Sequence, residues 1–115
     1  MKFRTVVFYK NYFESFFEKQ KNKVKDKILW TLSLIEDHEK IPELYLKHLE
    51  GTEGLFEIRI QSGREIFRVF CFFEEGKLIV LMNGFQKKSQ KTPKQEIETA
   101  LKIKEEYESE KYNNA

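Results

Sequence analysis

The side chains best suited to chemistry in this chain are cationic and lie between residues 54 and 94. Arg59 and Arg68 each interrupt an apolar, strand-like segment, and lysines follow a third such segment at positions 87, 88 and 91. A guanidinium removed from water costs free energy unless it is paired. Arg68 is therefore expected either to pair with an internal carboxylate, for which Glu57 is the candidate, or to reach an open face and bind an anion such as phosphate.

The surroundings of these cations favour a nucleic acid as the anion. The lysines lie just before a predicted helix start, where the helix dipole adds to the attraction for phosphate. Phe85 and neighbouring aromatic residues offer a surface on which bases could stack. Together these features predict a binding site for single-stranded nucleic acid, with RNA favoured over duplex DNA.

Other catalytic chemistries find little support in the sequence. The chain has no glycine-rich phosphate loop, no GxSxG and no HExxH motif. His38 and His48 are expected at the surface, and no ligand spacing fits a metal ion. Cys71 lies in the apolar run FRVFCFF and is expected to be a buried hydrophobic residue, because a nucleophilic thiol needs exposure and a low pKa. We expect neither a metal nor a cofactor.

Length and composition predict one folded domain over residues 1–115. Apolar residues make up 40% of the chain, which is enough for a core despite 35% charged residues. The N-terminus does not resemble a signal peptide, no stretch is apolar enough to span a membrane, and a single cysteine excludes an internal disulfide. These features predict a soluble, cytoplasmic protein.

The first forty residues read as a strand followed by helix. Residues 2–9 are rich in β-branched and aromatic side chains, and Asn11 can cap a helix that begins near Tyr12. After the lysine-rich segment 19–27, the helical spacing continues on an apolar face. That face consists of Val24, Ile28, Leu32 and Ile35, widened by Leu29 and Leu34. The helix must end by Ile41, before Pro42. One long helix and two shorter helices fit this pattern equally well.

The second half of the chain reads as a meander and a helix. A short helical turn is predicted over Glu43–Glu50, and strands are predicted over residues 55–60, 65–73 and 77–85. Glycine-containing turns separate the strands, which predicts antiparallel pairing. Thr92, Pro93 and Gln95 form a capping box for the last helix.

These elements predict an α+β fold. The first strand can join the meander, which makes a small, twisted, mainly antiparallel sheet of four strands. The N-terminal helices are expected to pack on one face of it, together with a C-terminal helix. This arrangement would leave the opposite face open for the cationic side chains.

The segment FEIRIQSGREIFRVFCFFEEGKLIVLMNGFQKKSQKTPKQEIETALK resembles the RelE/ParE superfamily of toxins from type II toxin–antitoxin systems, especially its phage-derived, HigB-like branch. The similarity rests on an aromatic-Glu-aliphatic-Arg strand, an arginine within an aromatic strand, and a GF-x-KK-x-x-K-TP junction before a helix. It covers about residues 54–107, and the preceding elements agree in order. The resemblance implies a RelE-like fold and a metal-independent endoribonuclease that cleaves mRNA on the ribosome.

The resemblance also implies roles for individual residues. Arg68, Arg59 and Lys87 or Lys88 would be catalytic, with Arg68 stabilising the phosphate that is attacked by a ribose 2′-hydroxyl. RNA contacts are expected from Lys91, Lys94, Arg64 and Phe85. The chain departs from ribosome-dependent relatives in one respect, because no Tyr or His lies near the start of the last helix and Tyr107 and Tyr112 lie well beyond it. An acid–base role would then need a lysine with a lowered pKa.

The implied partners are mRNA, the ribosome and a cognate helix-turn-helix antitoxin, with DNA contacted only through the antitoxin complex and no membrane involved. Two alternatives stay open at this point. One is gyrase inhibition, as in the ParE branch, and the other is a non-catalytic relative that binds RNA or protein.

Overall fold

The structure is a computed structural model that describes residues 2–113. These residues form five strands and three helices, joined by turns and loops. In chain order these elements are β1 (Thr5–Phe8), α1 (Tyr12–Glu18), α2 (Asn22–Asp37), β2 (Leu46–His48), β3 (Phe56–Ser62), β4 (Glu65–Glu74), β5 (Leu78–Lys87) and α3 (Lys94–Asn113).

The strands form one mixed sheet in the order β1-β5-β4-β3-β2. Only β1 pairs in parallel, with β5, and the other three pairings are antiparallel. The predicted α+β class, the meander β3-β4-β5 and the return of the first strand to the sheet are confirmed. The predicted number of four strands is wrong, because β2 adds a fifth strand at the edge next to β3.

Strand β2 lies where the sequence predicted a helical turn over Glu43–Glu50. The chain makes a single turn, in which the amides of Tyr45 and Leu46 donate to the carbonyl of Pro42 at 2.9 and 3.2 Å. It then extends, so that Leu46 pairs with Ile58 and is buried. A three-residue edge strand forms because it pairs with its neighbour. It is too short to show a periodic pattern, so the sequence does not predict it.

The helical region consists of two helices, which decides between the two predicted alternatives. α1 ends in a tight turn, in which the Lys19 amide donates to the Phe16 carbonyl at 3.3 Å, and α2 starts at Asn22. The Asn11 side chain makes no capping hydrogen bond. Leu29, predicted on the buried face of α2, is half exposed. No helix within residues 2–113 has both the length and the apolar character to cross a membrane.

Helices cover both faces of the sheet, so the prediction that they share one face is wrong for α3. α1 and α2 pack on a face that includes Phe67, Val69 and Cys71 of β4. α3 packs on the other face, where Ala100 and Ile103 contact a cluster that contains Phe70 and Phe72. The nearly continuous apolar sequence of β4 is explained by this double coverage. The open part of the α3 face is therefore limited to the end of the sheet that lies beyond the N-terminus of α3.

Candidate nucleic-acid interface

Arg59 and Arg68 are directly opposite each other on the neighbouring strands β3 and β4. Alternation along β3 places Ile58 and Ile60 in the core under α1 and α2, so Glu57 and Arg59 project from the other face. Alternation along β4 likewise makes Arg68 project from the face that is not occupied by Phe67 and Val69. The two guanidinium groups thus share the face on which α3 lies, whereas the sequence predicted a cationic face free of helices.

Glu57 lies between the two arginines and links them. Its Oε1 atom is 3.4 Å from Arg68 Nε and 3.6 Å from Arg59 Nε, while its Oε2 atom accepts a hydrogen bond of 3.2 Å from the Thr92 hydroxyl. Glu57 is 4% exposed and Arg68 is 6% exposed, so this is a buried ion pair. Of the two alternatives for Arg68, the structure shows the internal pair with Glu57 and not a fully open side chain. The hydroxyl of Thr92, predicted only as a helix cap, also joins the cluster.

The arginines retain unused hydrogen-bonding capacity despite the ion pair. Arg68 Nη1 donates to the Phe67 carbonyl at 3.0 Å, and Arg59 Nη1 donates to the Glu43 carbonyl at 3.3 Å. The Nε atoms of both are buried without a hydrogen-bond partner within residues 2–113, since their contacts to Glu57 lack hydrogen-bond geometry. Burial, followed by the nearby charge of Arg59, lowers the pKa of Arg68. Guanidiniums stay charged under such shifts, so both can still engage an anion.

A β-bulge brings Lys87 to the same face. Cys71 of β4 is opposite Leu81 of β5, but Val69 is opposite Gly84, so β5 carries one extra residue between the two pairs. The extra residue reverses the alternation, and Phe85 and Lys87 project from the face of Arg68 instead of into the core under α1. Burial, with the charge of Arg68 as the second cause, lowers the pKa of Lys87.

Lys47 is a fourth cation on this face, and sequence reasoning missed it. It is paired in register with Glu57, and its charge is one of the causes that lower the pKa of Lys87. The signal would have been the strand β2, which the sequence pattern did not reveal. Four cations (Lys47, Arg59, Arg68 and Lys87) thus surround one carboxylate, which leaves a formal local charge of about +3.

The two arginines line a hollow of about 440 Å³ at the edge of β3, together with Lys27, Tyr45, Gln61 and Ile66. A second hollow, of about 730 Å³, lies around the end of β5 and is lined by Arg64, Glu65, Lys87 and Lys88 among others. Both volumes are in the range of ~300–1,000 Å³ that is usual for sites of small ligands. Each hollow is therefore large enough for a phosphate group of a nucleic acid to approach the cations that line it.

This geometry belongs to a chain with recognisable relatives. Residues 15–105 match the family described as "Phage derived protein Gp49-like (DUF891)". The chain belongs to this Gp49-like family of phage-derived, HigB-like toxins. It is also similar to two proteins from Mycobacterium tuberculosis, from the strains CDC 1551 / Oshkosh and ATCC 25618 / H37Rv, each named "Probable endoribonuclease HigB1". Each is 33% identical over 86 residues, which is 74% of this chain and 68% of the relative.

Membership in the Gp49-like family confirms the predicted resemblance to HigB-like toxins and implies an antitoxin partner. The matched residues 15–105 include every side chain of the cationic cluster, whereas β1 and the distal part of α3 lie outside them.

The other predicted site residues are placed less closely together in this Gp49-like domain. Lys88 and Arg64 are exposed along the second hollow. Lys91 and Lys94 are exposed in the β5–α3 loop and at the start of α3. Phe85 stacks on Phe70 with the ring centroids 5.6 Å apart, so one of its faces is already used in the core.

Histidine, cysteine and tyrosine side chains that could serve as acids, bases or nucleophiles lie outside the cationic cluster. Both histidines are exposed, as predicted. Cys71 is fully buried, and burial raises its pKa, which confirms its expected role as a core residue. Tyr107 packs on Phe72 and interacts with Glu74, which raises its pKa to about 12. Since Glu74 is six residues from Arg68 along β4, Tyr107 is separated from the cluster by roughly 20 Å.

Proposed function

We propose that this chain is the toxin of a type II toxin–antitoxin system and acts as a metal-independent endoribonuclease that cleaves mRNA on the ribosome. The observation that carries the proposal is the convergence of Arg59, Arg68 and Lys87 on one face, around Glu57 and beside a hollow of about 440 Å³. The names of the M. tuberculosis relatives add support, since both are described as endoribonucleases.

The reaction is the attack of a ribose 2′-hydroxyl on the adjacent phosphorus. The O2′–P bond forms and the P–O5′ bond breaks, which leaves a 2′,3′-cyclic phosphate on one fragment and a 5′-hydroxyl on the other. Negative charge develops on the phosphate oxygens in the transition state, and preorganised cations stabilise it. Arg68 and Arg59 are assigned this role because Glu57 holds their guanidiniums side by side and both side chains line the hollow of about 440 Å³.

Proton transfer is assigned to Lys87. Its lowered pKa increases the fraction of neutral amine at a given pH, and this amine accepts the 2′-hydroxyl proton. The ammonium that results adds a positive charge near the reacting phosphate and can pass the proton to the departing 5′ oxygen. No Tyr or His is needed near the start of α3 in this scheme.

The remaining predicted residues are assigned to RNA binding. Lys88 and Arg64, along the second hollow, are placed to hold phosphates beside the cleaved bond, with Lys88 close enough along the chain to assist Lys87. Lys91 and Lys94 extend the positive charge towards α3, and the free edge of Phe85 offers an apolar contact for a base.

The partners follow from this activity. A cytoplasmic toxin of this kind would meet mRNA in the ribosomal A site and be neutralised by a helix-turn-helix antitoxin, through which alone it would contact DNA.

The experiment is induction of the chain in growing cells, followed by mapping of transcript 5′ ends. Cleavage within coding sequences is expected, with ends that carry a 5′-hydroxyl, and the same ends should appear with purified ribosomes and mRNA. Growth arrest with intact transcripts would contradict the proposal. Arrest accompanied by DNA damage signalling would favour a gyrase inhibitor, and unaffected growth would favour a non-catalytic relative.

A further inference from the structure

An exposed aromatic surface lies next to the arginines and has no part in the reaction described above. Trp30 is 48% exposed on α2, and its ring meets that of Tyr45 edge to face with the centroids 5.7 Å apart. The Nζ atom of Lys27 lies 4.2 Å from the centroid of the Trp30 ring. An indole that is held in place by two neighbours and is still half exposed is suited to receive another flat group.

The surface is continuous with the candidate active site. A hollow of about 540 Å³ is lined by Trp30 and Lys23 of α2 and by Gln61 and Gly63 at the β3–β4 turn. Lys27, Gln61 and Gly63 also line the hollow that contains Arg59 and Arg68. A ligand that leaves the arginines along the edge of β3 would therefore pass onto α2.

The charge of this path suits a polyanion. Lys23, Lys27 and Trp30 are spaced at i, i+4 and i+7 and so share one face of α2. Within residues 2–113, neither Lys23 nor Lys27 lies within ion-pair distance of a carboxylate, while Asp26 in the same hollow is exposed and opposes them. The lysine-rich segment 19–27 adds positive charge around this face.

We infer that Trp30 is a base-stacking subsite for single-stranded RNA, with Lys23 and Lys27 holding the flanking phosphates. The RNA enters the arginine hollow with its cleaved phosphate and continues around the edge of β3 onto α2. Stacking accepts any base, so this subsite contributes affinity and direction, not sequence preference. The inference deepens the proposed function and rests on it, because it names how the substrate of the same site is held.

The experiment uses the fluorescence of Trp30, the one tryptophan in the chain. The full-length chain is titrated with a 2′-O-methyl hexanucleotide and a 2′-O-methyl dinucleotide, neither of which can be cleaved by 2′-hydroxyl attack. The hexanucleotide is expected to quench the fluorescence by stacking, and the dinucleotide, which is long enough only for the arginine hollow, is expected to leave it unchanged. No quenching by the hexanucleotide would overturn the inference.

Variants separate the contributions. Trp30→Ala should weaken hexanucleotide binding, measured by anisotropy of a labelled strand, roughly tenfold, whereas Trp30→Phe should retain most of the affinity. Lys23→Gln and Lys27→Gln should each reduce the slope of log Kd against log salt concentration by about 0.7, and Asp26→Asn should tighten binding. Tyr112→Ala and Lys102→Ala are matched controls, because both residues are exposed on α3, and neither should change binding.

The outcomes distinguish this inference from the proposed nuclease activity. Quenching and a weaker Trp30→Ala variant in a chain that cleaves no RNA would remove the catalytic proposal and keep the subsite. Cleavage with unchanged hexanucleotide affinity in Trp30→Ala would remove the subsite alone. Quenching by a polyglutamate peptide but not by the hexanucleotide would identify a protein-docking surface and contradict the inference.

Discussion

Lys87 lies on the same face of the sheet as Arg68, although regular alternation along β5 would place it on the opposite face. The β-bulge between the pairs Cys71–Leu81 and Val69–Gly84 causes this change of face. The bulge lies in the pair β4–β5, in the interior of the sheet, so it is a feature of the core and not of a loop. The position of Lys87 beside Arg68 therefore depends on one irregularity of strand register.

Replacement of Arg68 tests the phosphate-binding role. Arg68→Lys keeps a positive charge but loses the planar fork of donors, and loss of one preorganised donor typically costs ~10²–10³-fold in rate. We expect a comparable loss of RNA cleavage and of toxicity, with circular dichroism unchanged. Lys102→Ala is the control, since Lys102 is exposed on α3. Full toxicity of a folded Arg68→Lys variant would remove Arg68 from the site.

Replacement of Glu57 tests the ion-pair cluster. Glu57→Gln leaves Arg59 and Arg68 opposite each other without the intervening negative charge. Loss of one partner of a buried pair costs about 3–5 kcal/mol, and the partial exposure of Arg59 should reduce this to roughly 2–4 kcal/mol. Urea denaturation measures the change. Glu65→Gln is the control, because Glu65 is only partly buried and accepts a single long hydrogen bond of 3.3 Å from Gln86. Equal stability of the two variants would contradict the role of Glu57.

The pH dependence of cleavage tests Lys87. Because its pKa is lowered below the ordinary value of 10.5, the neutral amine accumulates at lower pH than for an exposed lysine. If Lys87 is the proton acceptor, the single-turnover rate should rise with pH and level off once the amine is neutral. Lys87→Arg keeps a charge that does not titrate in this range, so its rate should be low and lack this rise. A rate that falls as pH rises would instead assign Lys87 as the proton donor.

Gly84, which pairs with Val69 beside the bulge, tests the close packing of α1 on β5. A Cβ atom at this position would lie 2.7 Å from the nearest atom of the Phe16 ring, which belongs to the core under α1. Gly84→Ala is therefore expected to destabilise the fold by ~1–3 kcal/mol, as overpacked core substitutions do. The double variant Gly84→Ala/Phe16→Leu should recover part of this loss in thermal denaturation. An additive effect of the two substitutions would show that Phe16 is not the cause.

The attachment of the distal half of α3 is expected to depend on pH. The Tyr12 hydroxyl donates to Glu106 at 2.8 Å, and Lys10 lies 3.3 Å from Glu106 and 2.9 Å from Glu110. These contacts, with Tyr12 the main cause for Glu106 and Lys10 for Glu110, lower the pKa of both carboxyl groups. A lowered folded-state pKa means that the stabilisation is present above the unfolded pKa and is lost as pH falls through the folded pKa.

Hydrogen exchange of the α3 amides, corrected for intrinsic rates, measures this effect. Protection of residues 103–113 should decrease as the pH falls below the ordinary glutamate pKa of ~4.3, and Tyr12→Phe should reproduce part of the decrease at neutral pH. Tyr112→Phe serves as the control because Tyr112 is 80% exposed. Unchanged protection at low pH would show that apolar packing alone holds the helix.

The sequence by itself determined the features that depend on local pattern and composition. The arginines that interrupt two apolar strand segments predicted the cationic side chains of the site, with Glu57 as the candidate partner of Arg68. The GF-x-KK-x-x-K-TP junction and the strand arginines were enough to recognise the toxin family, which the comparisons confirm. Such features are readable because side-chain period and desolvation cost are properties of short segments.

Only the tertiary structure decided which residues meet. β2 and its Lys47 depend on pairing with β3, the position of α3 depends on which face of the sheet accepts its apolar stripe, and the face of Lys87 depends on the bulge. In each case the outcome is set by contacts between residues distant in the chain, which local periodicity does not encode. The cationic cluster is therefore composed of residues that the sequence could largely name, brought together by a register that it could not.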